Sequence, residues 1–183
     1  NAVPEMIWVK NRGSSEEWAV YHKGLNGGTN PEQYFIELDN TGAETDSSFP
    51  WNDTAHSSTH FSLGVYAKVN NNWENYIAML FASVDGISKV GSYDGSDSAQ
   101  TITTGFQPRF VIIKRVTSND DWFVLDTTRG WASGNDQKLK LNSTASQNND
   151  DDCGAPTSTG FTLPGAYASF SASGSKYIYY AHA

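Results

Sequence analysis

Short apolar runs separated by polar, glycine-bearing turns recur along the chain. Residues 6–9 read Met-Ile-Trp-Val and residues 110–113 read Phe-Val-Ile-Ile, and a proline suited to a strand start, Pro4 or Pro108, precedes each. Runs at 18–21 and 122–125 follow polar turns at 11–17 and 117–121. The longest apolar runs lie at 76–82 and 177–182, and a further strand is predicted at 87–93, between the turn dipeptides Asp85-Gly86 and Asp94-Gly95. No window sustains a 3.6-residue apolar period over three turns, so no long helix is predicted. About a dozen strands at short spacing predict an all-β fold, a two-sheet antiparallel β-sandwich.

The runs are also copies of one another. Pro4-Glu-Met-Ile-Trp-Val-Lys10 lies over Pro108-Arg-Phe-Val-Ile-Ile-Lys114 at an offset of 104, without a gap as far as Val20 and Val124. Trp18 then meets Trp122, and Glu16-Glu17 meets Asp120-Asp121. Ile36-Glu-Leu38 faces Leu139-Lys-Leu141 at 103, Phe61-Ser-Leu63 faces Phe161-Thr-Leu163 at 100, and Tyr76-Ile77 faces Tyr177-Ile178 at 101. Matches in one order with small drifts in offset indicate an internal duplication. The strand at 87–93 leads into the second unit, and its counterpart would precede Pro4. A sandwich that shares strands between units tolerates that better than two separate domains would. The expectation is therefore one domain over 1–183, made of two units at 4–82 and 86–183.

The duplication sorts the candidate residues. Positions shared by both units belong to the common core, so Trp18, Trp122, Ile7 and Val111 are predicted buried, while Lys10 and Lys114 are expected to end strands at the solvent edge. Trp73 aligns with Gly174 and Trp131 with Gly27, so neither is needed by both units. Each sits in a polar loop, where an indole can stack on a sugar or anchor an interface, and these two are the candidate ligand-binding residues. Trp51 has no counterpart tryptophan in the second unit either. The oxygen-rich stretch 148–152 lacks the alternation of an ion-wrapping loop and is read as a solvated acidic loop rather than a calcium site.

Charge and cysteine content remove several classes of function. The formal net charge is −8 with no basic cluster, which argues against a nucleic-acid partner. No apolar run is long enough for a membrane-spanning helix, and Cys153 alone can form neither an intrachain disulfide nor a thiolate zinc site. The chain opens at Asn1 with no Met and no leader, and reads as a processed product or a fragment. No nucleophile elbow, zinc-binding helix or phosphate-cradling loop is present. Glu32, Glu37 and Asp39 could lie close together as a glycosidase pair would, yet Glu37 aligns with Lys140 and reads as a surface strand position. No catalytic residue, metal ion or cofactor is predicted.

The order Pro-x-Met-Ile-x-Val-Lys (4–10), Trp-x-Val-Tyr-His (18–22), Trp51-Asn52-x-Thr54, Phe61-Ser-Leu63 and Tyr76-Ile-Ala-x-Leu-Phe-Ala82 resembles a family of repeat-built virion surface proteins of tailed bacteriophages. Lys89-Val-Gly-Ser-Tyr93, Gly105-Phe-Gln-Pro108 and the second Tyr-Ile-x-Tyr-x-x-Ala ending extend the likeness. The resemblance implies a lectin-like sandwich of jelly-roll or concanavalin-like type at the virion surface, in a tail fibre or capsid decoration, with other virion proteins and a host-surface glycan as partners, and a structural role for Trp51, which falls in the family's Trp-Asn-x-Thr spacing. A carbohydrate-binding module of a secreted enzyme or adhesin is the alternative. Runs 6–9, 76–82 and 177–180 are apolar on both faces, which motivates a homo-oligomer. Fibres of the resembling family are commonly trimeric, so a trimer is the first expectation.

Overall fold

The structure, a computed structural model, describes residues 2–183. Thirteen strands form three antiparallel sheets, and the described residues contain no helix longer than four residues. The first sheet runs in the order β4 (Thr45–Asp46), β3 (Tyr34–Glu37), β2 (Ala19–His22), β1 (Met6–Asn11), β5 (Tyr76–Phe81). The second runs β10 (Lys138–Lys140), β9 (Trp122–Asp126), β8 (Phe110–Arg115), β13 (Lys176–His182), β6 (Ser88–Asp94). A small third sheet places β12 (Gly160–Leu163) between β11 (Pro156–Thr157) and β7 (Gln100–Thr103). In each large sheet three hairpin-linked strands are joined by a fourth that returns beside the first, which is the Greek-key order.

The ladders of the two large sheets run in corresponding register. Trp8 lies opposite Val20 and Met79, and Ile112 lies opposite Val124 and Tyr180. Val20 faces Ile36 as Val124 faces Leu139. The offsets are those read along the chain, so equivalent residues occupy equivalent places in the two sheets.

Burial explains why several strands are apolar on both faces. Between the large sheets Met6, Val20 and Ile36 of the first pack with Val90, Ile112, Val124 and Ile178 of the second. The far side of the first sheet is covered by the segment around α1 (Ser48–Trp51), which adds Trp51 and Val69 to Ile7, Val9, Ala19, Tyr21 and Phe35. The far side of the second sheet is covered by β12 and by α2 (Ala168–Ser171), through Phe161, Leu163 and Phe170. A strand buried on two sides must be apolar at successive positions. Residues 6–9 and 177–180 are therefore covered from within the chain: Ile7 and Val9 are buried and so is Tyr179, while Trp8 and Tyr180 are half-buried. Their composition does not itself require a subunit contact.

Polar links tie the units together. Trp122 Nε1 donates to the Glu37 carbonyl at 2.8 Å, and Glu44 N donates to Val116 O at 2.9 Å. Trp122 is 2% exposed, and Ile7 and Val111 are fully buried, as expected. Trp18 is only half-buried, packing at the margin of the core.

The expectation for Lys114 is corrected. Its side chain is fully buried, with Nζ donating to Thr41 O at 3.0 Å and Asp120 O at 2.7 Å. Lys10 makes the equivalent bond to the Glu16 carbonyl, so each lysine ties its strand to the turn that follows. Only Lys114 is also capped by a loop of the other unit, and burial lowers its pKa to about 8.

Candidate ligand-binding cleft

Alternate residues of β8, β9 and β13 face the first sheet, and where that sheet stops the row remains open. Phe110 lies directly opposite Asp126 on one side and His182 on the other, so the three side chains form one row across three strands. Tyr180 stands one row further in, edge-on to Phe81 of β5 with ring centroids 5.1 Å apart. With Arg109, Thr128 and Ala183 these residues line an open cleft of about 440 Å³.

The polar groups of the cleft are held in place by the turn after β9. Asp126 accepts from the Arg129 backbone N–H at 2.9 Å and pairs with the Arg129 guanidinium at 2.5 Å. The Asp126 carbonyl accepts from Trp131 N at 3.0 Å, and Arg109 Nη2 reaches Thr128 Oγ1 at 3.4 Å. Arg129 Nε is buried with no protein partner. His182 Nδ1 lies 2.9 Å from the Ala183 carbonyl. An apolar floor of Phe110 and Tyr180 under a rim of one carboxylate, one guanidinium, one hydroxyl and one imidazole is the usual make-up of a small-molecule site.

The two tryptophans singled out from the sequence do not meet here. Trp131 is 1% exposed and packs edge-on to Phe161 at 6.0 Å under the second sheet. It is the lid of a core cluster, and its ring cannot stack on a ligand. Trp73 projects fully into solvent from a turn with φ of 66° and does not line the cleft. Trp51 is fully buried, its Nε1 donating to Tyr34 O at 3.1 Å.

Other candidate side chains are engaged elsewhere. Glu37 pairs with Lys68, which also holds Glu17 at 2.9 Å, and Asp39 accepts from Trp18 N at 3.2 Å. In the 148–152 stretch Asp150 and Asp151 both pair with the buried Lys138, and Asp151 accepts from Tyr167 Oη at 2.6 Å. Those ion pairs push the Lys138 pKa up and hold Asp151 low. Among the described residues no group of three or more His, Cys, Asp or Glu could hold a metal ion, and no helix is long and apolar enough to cross a membrane. Cys153 is buried, and burial pushes its thiol up to about 12.

Antiparallel sheets stacked about a shared core, with a cleft where one sheet outruns the other, place the chain among β-sandwich proteins. Residues 1–183 match the model of the domain of unknown function DUF7483, and the chain belongs to that family. No curated protein and no solved structure matches it.

Proposed function

We propose that this chain is a non-enzymatic surface module of a bacteriophage virion, of tail-fibre or capsid-decoration type, that binds a host-surface glycan in the cleft. The observation that carries the ligand half of this reading is the row Phe110, Asp126, His182 with Tyr180 behind it. Saccharides present an apolar face bounded by hydroxyls, and this row offers aromatic rings beside groups that both donate and accept. Asp126 and Thr128 accept from hydroxyls, and Arg109 donates to them. The virion half rests on the sequence resemblance, which runs through both units.

Glycan-array binding of the wild-type chain tests the ligand, alongside Tyr180→Ala and Asp126→Ala. Binding to a defined glycan class, weakened at least about tenfold in each variant, is expected. Binding that both variants retain, or none to any glycan, overturns the cleft as a glycan site. Immunogold labelling of phage particles with antibody to this chain tests location: labelled tails or capsids are expected, and unlabelled particles overturn it.

A further inference from the structure

The two units enter their last strands through the same four-residue turn. Residues 71–74 precede β5 as residues 172–175 precede β13, at the offset of 101 that relates Tyr76 to Tyr177. Asn71 N donates to Tyr76 Oη at 2.8 Å, and Ala172 N donates to Tyr177 Oη at 2.9 Å. Glu74 N then reaches Asn71 O at 3.4 Å, and Ser175 N reaches Ala172 O at 3.1 Å. The third residue of each turn is left-handed, with φ of 66° at Trp73 and 76° at Gly174. Positive φ at that place favours glycine, and a bulky side chain there adds a steric cost. The second unit uses the relaxed residue; the first puts an indole on it.

The indole recovers nothing from packing, because Trp73 is fully exposed. That exposure belongs to the turn and not to the open side of β5. At Gly174, where β6 does lie beside β13, a Cβ would still meet nothing within 4 Å. A strained, unpacked aromatic residue at a place its copy fills with glycine points to contact with a ligand.

The flanking residues select its class. Where the second turn and the residue after it read Ala-Ser-Gly-Ser-Lys (172–176), the first reads Asn-Asn-Trp-Glu-Asn (71–75). Asn70, Asn71, Asn72 and Asn75 are all exposed, while Glu74 turns away, its Oε2 buried against Gly13. The tip therefore offers an aromatic face flanked by neutral amides that both donate and accept. An uncharged sugar ring, with an apolar face bounded by hydroxyls, is the complement of that pattern. No Lys or Arg lies between residues 69 and 88, so an anionic lipid surface finds no attraction here. We propose that the Trp73 turn is a second saccharide contact, the indole stacking on a neutral sugar whose hydroxyls the flanking asparagines bind. Trp73 precedes β5, whereas Phe81, against Tyr180 of the cleft, ends it, and the six residues of strand between span about 17 Å. The contact is separate from the cleft and does not rest on what the cleft binds.

Acrylamide quenching of tryptophan fluorescence reads this site, since Trp51, Trp122 and Trp131 are buried and Trp8 and Trp18 half-buried. The full chain is titrated with neutral oligosaccharides of glucose, galactose, mannose or N-acetylglucosamine, and with sialylated glycans and anionic vesicles for comparison. At least one neutral oligosaccharide should shield Trp73, and Trp73→Gly should weaken its binding at least about tenfold. Trp73→Gly installs the residue of the second turn, so its Tm should equal or exceed that of the wild type. Tyr180→Ala should leave the shielding intact. A glycan array run on Trp73→Gly reports the cleft alone, so failure of the cleft and failure of this contact are told apart. Shielding by no neutral sugar, shielding by sialylated glycans or vesicles alone, shielding lost in Tyr180→Ala, or a lower Tm for Trp73→Gly overturns the proposal.

Discussion

Two rows of side chains occupy the same place in the two large sheets and meet different fates. In the first sheet the row is Met6, His22 and Phe81; in the second it is Phe110, Asp126 and His182. Met6 and His22 are buried and Phe81 is half-buried, whereas Phe110 and Asp126 are half-buried and His182 is exposed. The backbone pairing is the same in both, so the difference lies in what covers each row. At the fully covered β2 position the first row holds a neutral imidazole wired to the backbone. Where cover stops, the position holds a carboxylate on the wall of a cleft. A shared ladder thus carries structure in one unit and candidate chemistry in the other.

The largest effect should come from the tryptophans that the units share. Trp122 is buried between the sheets and bonded to the Glu37 carbonyl, while Trp18 is half-buried at the equivalent place. Trp122→Ala should lose about 3–5 kcal/mol in urea unfolding, and Trp18→Ala about 1–2 kcal/mol. Equal losses would show that the two units cover their cores alike and would erase the comparison.

His22 sharpens it through pH. Its Nδ1 accepts from Gly24 N at 2.9 Å and its Nε2 donates to Tyr179 O at 3.2 Å, so it is held neutral; burial lowers its pKa to about 4. The folded pKa lies below the unfolded one near 6.5, so the native state binds fewer protons between them. Stability is full above about pH 6.5 and falls as pH drops through that window to about 4, by up to about 3 kcal/mol. His22→Gln should be less stable at neutral pH but show a shallower acid limb, read by urea titrations at pH 7, 5.5 and 4.5. An unchanged acid limb would mean that His22 is not the group responsible.

Much of this architecture is legible in the chain and some is not. The strands of the large sheets announce themselves because burial on two faces forces apolar runs such as 110–113 and 177–180. β7 gives no such signal, because Gln-Thr-Ile-Thr turns a single apolar residue inward against Phe161. Trp131 reads as a loop residue because its neighbours in sequence are polar, while the residues that bury it, Phe161 among them, come from later in the chain. The cleft leaves one trace: His22 aligns with Asp126, and a residue that departs from its copy marks a position freed from the common core. Nothing local indicates that Phe110 and His182 flank that carboxylate, since the row exists only once three strands pair.

Lys114 and Lys10 give a smaller contrast, in the alkaline direction. The folded pKa of Lys114 lies near 8, below the unfolded value near 10.5, so the unfolded state binds more protons between them and stability rises with pH there. Between pH 7 and 9 the gain should be about 1 kcal/mol. Lys114→Met should abolish this slope, and Lys10→Met should keep it. A slope that survives Lys114→Met would assign it to another group.

The smallest stability effect should come from Asp126, and its smallness is the test. The pair with Arg129 is partly exposed, with side chains 16% and 32% accessible, so it contributes at most about 1 kcal/mol. Asp126→Asn keeps an acceptor for the Arg129 N–H and should shift Tm by no more than about 2–4 °C. It removes the charge from the cleft wall, however, and should weaken glycan binding. His22→Gln, at the equivalent place in the other sheet, should do the reverse, changing stability while leaving binding intact. A destabilised Asp126→Asn with undiminished binding would place this carboxylate among the structural residues, and the two rows would then differ only in how well they are covered.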